Sequence, residues 1–266
     1  MNRISTRFDQ LRVNKRTALI PFITAGDPIP DATVALMHAL VEAGADLIEL
    51  GVPFSDPMAD GPVIQHADER ALRRHVGIAA ILGWVREFRE SNADTPLVLM
   101  GYLNPIAIHG IERFAREAVE AGVDGVLVVD CPIEEDATLQ PLRDESLQRI
   151  LLAAPTTSDA RLARAIEAAE GYLYYVSFAG ITGAAKLSTG DIAQRVGDLR
   201  RRAKVPVAVG FGIKDAESAR AVAEFTDAVV IGSALVATLA DAKGSDVACQ
   251  RARAFLAPIR AALDGR

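Results

Sequence analysis

Cysteine is scarce in this chain: Cys131 and Cys249 are the only two in 266 residues. A pair so far apart builds neither a disulfide framework nor a metal cluster, and it fits a reducing compartment. Histidine is nearly as rare. His38, His66, His75 and His109 show no ligand spacing, so no metal site is expected. No apolar run is long enough to cross a bilayer, so no membrane role is expected. Positive charge is not in excess either. The formal net charge is −6, and an acidic chain is a poor match for a phosphate backbone, which argues against nucleic acid as a partner. The arginines of 200–202 and 73–74 read as solvated helix faces. The early arginines, Arg3, Arg7 and Arg12, faintly suggest a transit peptide. Asp9 interrupts them, and Ile4, Phe8 and Leu11 fall at helical spacing, so a short helix covering one end of a core is the better reading. These absences point to a cytoplasmic protein.

What the chain does have is a regular alternation. Short β-rich runs occupy 18–24, 46–50, 96–102, 125–129, 149–153, 172–176, 205–209 and 228–231. Amphipathic helical stretches lie between them, among them 31–43, 78–89, 111–121, 159–169 and 215–223. The runs are continuously apolar, as parallel strands buried on both faces require. Asp31, Ser158 and Asp215 are suitable N-caps for the helices they precede. Eight βα units in about 250 residues predict an α/β fold, a single (β/α)8 barrel over residues 1–266 with an extra N-terminal helix. The rival, a doubly wound sheet, places a glycine fingerprint after its first strand. The segment 24–28 lacks one, and Gly210-Phe-Gly-Ile comes only after the seventh.

In barrels of this kind, chemistry sits on the loops after the strands' C-terminal ends. Phe22 ends the first strand. Glu49 nearly ends the second, and "ELGVPFSDPMADGP" carries Asp56 and Asp60 into the following loop. Tyr102 ends the third strand, and Tyr172 and Tyr174 share a face of the sixth. A carboxyl group facing an apolar pocket has its pKa raised, which suits a general acid near neutrality. Asp60, in a wetter position, can supply an ionised second carboxylate. Glu49 could equally be a salt-bridged strand end, and the aromatics Phe22, Tyr102, Tyr174 and Phe211 could equally be core rather than the walls of a flat pocket. Glycines cluster in "SFAGITGA", "GFGI" and "IGSAL" after strands six, seven and eight. The last two suit backbone N–H groups closing on a phosphate, with Ser233 as a hydroxyl donor and cap for a helix from Ala234. Tight turns alone would also explain either one.

"LIELGVPFSDPMADGPVIQ" closely resembles the signature segment of the tryptophan synthase alpha chain family. The likeness continues in order through "PFITAGDP", "MGYLNPI", "VDGVLVVDCPIEE", "GITG", "VAVGFGI" and "IGSALV". The resemblance implies one TIM barrel that cleaves indole-3-glycerol phosphate to indole and glyceraldehyde 3-phosphate. It implies Glu49 as the acid–base group and Asp60 as the carboxylate at the indole N–H. It also implies Tyr174 as the pocket tyrosine before a mobile loop that contains Thr182. Gly183, Gly212, Gly232 and Ser233 match substrate-binding positions, the phosphate site foremost, and Phe22, Tyr102, Leu127 and Phe211 match pocket walls. Phe178 departs from the basic or polar residue common in relatives, and Cys131 from a small aliphatic one.

The resemblance further implies a tryptophan synthase beta chain as partner in an α2β2 complex. Pyridoxal phosphate belongs to that partner, and no cofactor is expected in this chain. The stiff loop with Pro53, Phe54, Asp56 and Met58 is the expected partner contact. Residues 179–190, rich in glycine and small side chains, are expected to be mobile and to close over substrate. Two alternatives share the glycines: another phosphate-binding barrel enzyme, and a non-catalytic regulatory barrel subunit.

Overall fold

The computed structural model describes residues 2–176, 189–210 and 212–265. Its strands are β1 (Ala18–Thr24), β2 (Ile48–Gly51), β3 (Leu97–Gly101), β4 (Gly125–Val128), β5 (Gln148–Arg149), β6 (Leu151–Ala153), β7 (Leu173–Val176), β8 (Val207–Gly210) and β9 (Ala228–Ile231). The helices are α1 (Arg3–Val13), α2 (Thr33–Glu42), α3 (Pro62–Leu72), α4 (Ile78–Ser91), α5 (Leu103–His109), α6 (Ile111–Ala121), α7 (Gln140–Asp144), α8 (Asp159–Ala168), α9 (Thr189–Arg202), α10 (Ala216–Ala223), α11 (Ser233–Leu239) and α12 (Ser245–Leu263). All strand pairs are parallel, in the order β5-β4-β3-β2-β1-β9-β8-β7-β6. The two ends of that order are consecutive pieces of the run expected at 149–153. Ile150 separates them, and its N–H still donates to the Val126 carbonyl, so the sheet curls into a nearly closed barrel.

Side chains along each strand alternate between two cores. Outward residues such as Leu19, Ile48, Leu99 and Val229 pack beneath the helices. Inward residues, Ala18, Ile20, Leu47, Val98, Leu127, Tyr172, Tyr174, Ala208, Ala228 and Val230, fill the barrel. The expected N-terminal helix is α1, and its buried Ile4, Phe8 and Leu11 join the interior cluster from one end. The Phe8 ring lies 6.0 Å from that of Tyr172.

Helix starts follow expectation after Asp215 and Ser158 and depart from it at Asp31 and Ser233. Asp215 caps α10 with a full capping box. Ser158 occupies its N-cap position without a side-chain bond, and Asp31 lies inside a short 3₁₀ turn that precedes α2. Ser233 is the first residue of α11, and Gly232 is the cap. Asp46, expected to open the second strand, lies before β2 and is buried, accepting from the Leu19 N–H at 3.0 Å and from Arg260 at 2.9 Å.

Candidate active site

Glu49 belongs to the inward set of β2. Phe22 of β1 and Val98 of β3 stand in register on either side, so a carboxyl group projects into an apolar barrel. It is wholly buried. The Tyr172 hydroxyl donates to Oε1 at 2.5 Å, whereas Oε2 has no hydrogen-bond partner among the described residues. Burial pushes the Glu49 pKa up to about 7, and the Tyr172 hydrogen bond opposes that rise only in part. Glu49 therefore exchanges a proton near neutrality, with one oxygen uncommitted.

A cavity of about 530 Å³ opens where the strands end. Glu49, Asp60, Phe22, Tyr174, Gly212, Gly232 and Ser233 all line it, with Met100, Val129 and Leu152 adding apolar wall. Residues far apart in the chain thus converge on one face. A second hollow, about 740 Å³, lies at the opposite end between α1 and the strand starts. Its rim mixes Arg12, Arg16 and Lys204 with Asp9, Glu170 and Asp227, and neither Glu49 nor Asp60 reaches it.

Asp60 is held from the β3 side. The Tyr102 hydroxyl donates to its Oδ2 at 2.7 Å and accepts the Ala59 N–H at 3.0 Å. Gln65 of α3 donates to the Asp60 carbonyl at 2.8 Å. Burial raises the Asp60 pKa, and the Tyr102 hydrogen bond pulls it back. Tyr102 itself lines a narrow crevice behind Asp60 rather than the main cavity, so it is a brace more than a wall. Leu127, expected as a pocket wall, is not among the residues that line the main cavity. It belongs to the interior cluster, and Val129, two residues on and packed against that cluster, lines the cavity.

The glycines have different reasons. At Gly210 a Cβ would come within 2.0 Å of the Tyr174 hydroxyl, so the bare backbone makes room for that ring. Gly212 adopts φ +75°, a left-handed conformation that favours glycine. Thr182, Gly183, Phe211 and Phe178 lie outside the described residues, as do positions 179–188 of the expected mobile segment.

The loop expected to meet a partner divides. Asp56 is exposed, as is Met58. Phe54 is half-buried with its ring 5.0 Å from that of Tyr102, and Pro53 is buried. Those two anchor the loop inward and are not free apolar contacts.

Two features escaped the sequence reading. Asp68, on α3, is buried behind Asp60 and accepts the Phe54 N–H at 3.5 Å. Burial first, then the neighbouring Asp60 carboxylate, push its pKa up to about 7. Asp27, after β1, is held by Arg70 of α3 through bonds of 2.6 and 3.0 Å. Asp68 and Arg70 both lie on α3, and only the packed helix shows which loops they face. Tyr172 was legible as a partner of Tyr174 on one strand face, not as the donor to Glu49.

A family model described as tryptophan synthase alpha chain matches residues 8–263. A relative of that name from Xylella fastidiosa (strain 9a5c) is 60% identical over 265 residues, 99% of each chain. Another, from Xanthomonas oryzae pv. oryzae (strain MAFF 311018), is 61% identical over 266 residues, 99% of each. The crystal structure of tryptophan synthase subunit alpha from Legionella pneumophila str. Paris superposes with a TM-score of 0.93 at 44% identity, covering 100% of both chains. The match in sequence and barrel is continuous from end to end, and the chain belongs to the tryptophan synthase alpha chain family, a lyase subunit that cleaves indole-3-glycerol phosphate in tryptophan biosynthesis.

Proposed function

We propose that Glu49 and Asp60 carry out this cleavage within one barrel domain spanning the chain. The observation that supports the reading most strongly is the uncommitted, buried Oε2 of Glu49 facing the same cavity as Asp60. The carbon–carbon bond of indole-3-glycerol phosphate breaks only after indole carbon 3 is protonated. Glu49, protonated near neutrality, gives that proton. Positive charge then develops at the ring nitrogen, and the Asp60 carboxylate, oriented by Tyr102, stabilises it. Ionised Glu49 next takes the proton from the side-chain hydroxyl adjacent to the bond. The oxygen's electrons form the aldehyde carbonyl, the carbon–carbon pair returns to the ring, and indole and glyceraldehyde 3-phosphate separate. Glu49 ends with the proton it started with, so no metal or organic cofactor is needed in this chain.

In this reading the indole lies against Phe22, Met100, Val129 and Tyr174. The phosphate lies toward Gly212, Gly232 and Ser233. The barrel works in the cytoplasm, in an α2β2 complex with a beta chain that holds pyridoxal phosphate. The exposed part of the 53–60 loop, Asp56 and Met58, meets that partner.

Indole release from indole-3-glycerol phosphate by the purified chain, alone and with a beta chain, tests the reading. Glu49→Gln keeps shape but loses the transferable proton, and general acid–base catalysis typically supplies about 10²–10⁴-fold, so the rate falls at least that far. Asp60→Asn lowers it as well. A Glu49→Gln variant that cleaves at a near-normal rate overturns the assignment.

A further inference from the structure

We propose that Lys214 is a substrate-binding residue whose ammonium group holds the phosphate end of indole-3-glycerol phosphate at the cavity mouth. The inference rests on the preceding reading of the cavity. Its starting point is a charge imbalance. Glu49 and Asp60 put two carboxyl groups in the cavity, and the substrate brings a phosphate. The glycine loops offer neutral N–H groups, and Ser233 one hydroxyl. Neither brings a positive charge to set against the repulsion between a phosphate and ionised Asp60.

Lys214 is the one basic side chain among the described residues that line the cavity. It is exposed and makes no ion pair among the described residues. The adjacent acid, Asp215, feels the lysine charge but is occupied in the capping box, accepting the Ser218 N–H at 2.8 Å. The backbone at Lys214 is fixed on both sides. Ile213 is buried in the outer core, and the Lys214 N–H donates to Ser218 Oγ at 3.1 Å. The left-handed turn at Gly212 lies two residues upstream. A lysine anchored there sits on the glycine side of the cavity, where a phosphate would be drawn. An ammonium group is a compact point charge suited to a phosphate oxygen.

The test compares wild type, Lys214→Met and Lys214→Arg in steady-state indole release, with inorganic phosphate and indole as separate inhibitors. Loss of one charge-assisted bond at an exposed site should raise KM about tenfold in Lys214→Met. Phosphate inhibition should weaken by the same factor, while kcat and inhibition by indole stay at wild-type values. Lys214→Arg should recover most of the loss. Unchanged KM and phosphate inhibition in Lys214→Met overturn the role of Lys214 alone, provided phosphate competes in the wild type. Equal weakening of phosphate and indole inhibition also overturns it, because that marks general damage to the cavity. Absence of phosphate competition in the wild type overturns the phosphate reading of the cavity and this inference with it.

Discussion

At the scale of single residues, the proposed proton chemistry turns on a contact between two buried side chains. Tyr172 donates to Glu49 and thereby favours the carboxylate, partly offsetting the burial that favours the acid. Tyr172→Phe removes that donor and leaves the ring in place. The Glu49 pKa should then rise further above about 7. The proposed mechanism requires protonated Glu49, so activity should be lost as pH rises through this pKa. In Tyr172→Phe the alkaline limb of kcat/KM should therefore move to higher pH. The rate on the plateau should fall by about tenfold, since one hydrogen bond to a charged group is worth roughly 1.5–3 kcal/mol and orients the acid. A profile whose alkaline limb stays put would separate that limb from Glu49.

At the scale of elements, the segment between β2 and α3 joins two duties. Its inner part is braced: Phe54 stacks near Tyr102, its N–H meets Asp68, and Tyr102 grips both Ala59 and Asp60. Its outer part presents Met58, 80% exposed, and Asp56, whose carboxylate accepts from Ser55 at 2.5 Å. A partner that settles the outer part acts on Asp60, the carboxylate proposed for catalysis, only a few residues away. We expect the isolated chain to be slow and a beta chain to accelerate it. Asp56→Ala should cut that acceleration by several-fold, because a rim charge contributes mostly to recognition. Measuring indole release with and without beta chain for both proteins decides the point, and equal acceleration removes Asp56 from the coupling.

At the scale of the whole molecule, the site weakens the fold that holds it. Folding carries Glu49 from its ordinary value of 4.5 to about 7. Between those values the folded protein keeps a proton that the unfolded chain has released, so stability falls as pH rises through that window and levels off above it. The cost at alkaline pH is on the order of 3 kcal/mol. Glu49→Gln carries no such cost. Its unfolding free energy should exceed that of wild type by about this amount near pH 8, and the gap should nearly close near pH 4.5. Denaturant titrations at both pH values measure it, and a gap independent of pH would mean that Glu49 does not titrate with folding. Asp68, also raised to about 7, adds a pH dependence common to both proteins.

The sequence by itself determined the barrel and singled out Glu49 and Asp60 as candidate acids. Continuous apolar runs have no other stable home than a parallel sheet covered on both faces, and a carboxylate in such a run stands out. Helical spacing in Ile4, Phe8 and Leu11 was enough to reveal α1, since that periodicity is local. Tertiary structure alone decided depth and partnership. Leu127 and Val129 are two residues apart and only the second lines the cavity, which no alternation pattern resolves. Tyr102 became a brace, Phe54 an inward anchor, and Lys214 a cavity residue only once loops from distant strands met. Strand periodicity specifies which way a side chain points. How far it sits from a cavity, and what it meets there, depends on the curvature of the closed sheet and on chain segments hundreds of residues away.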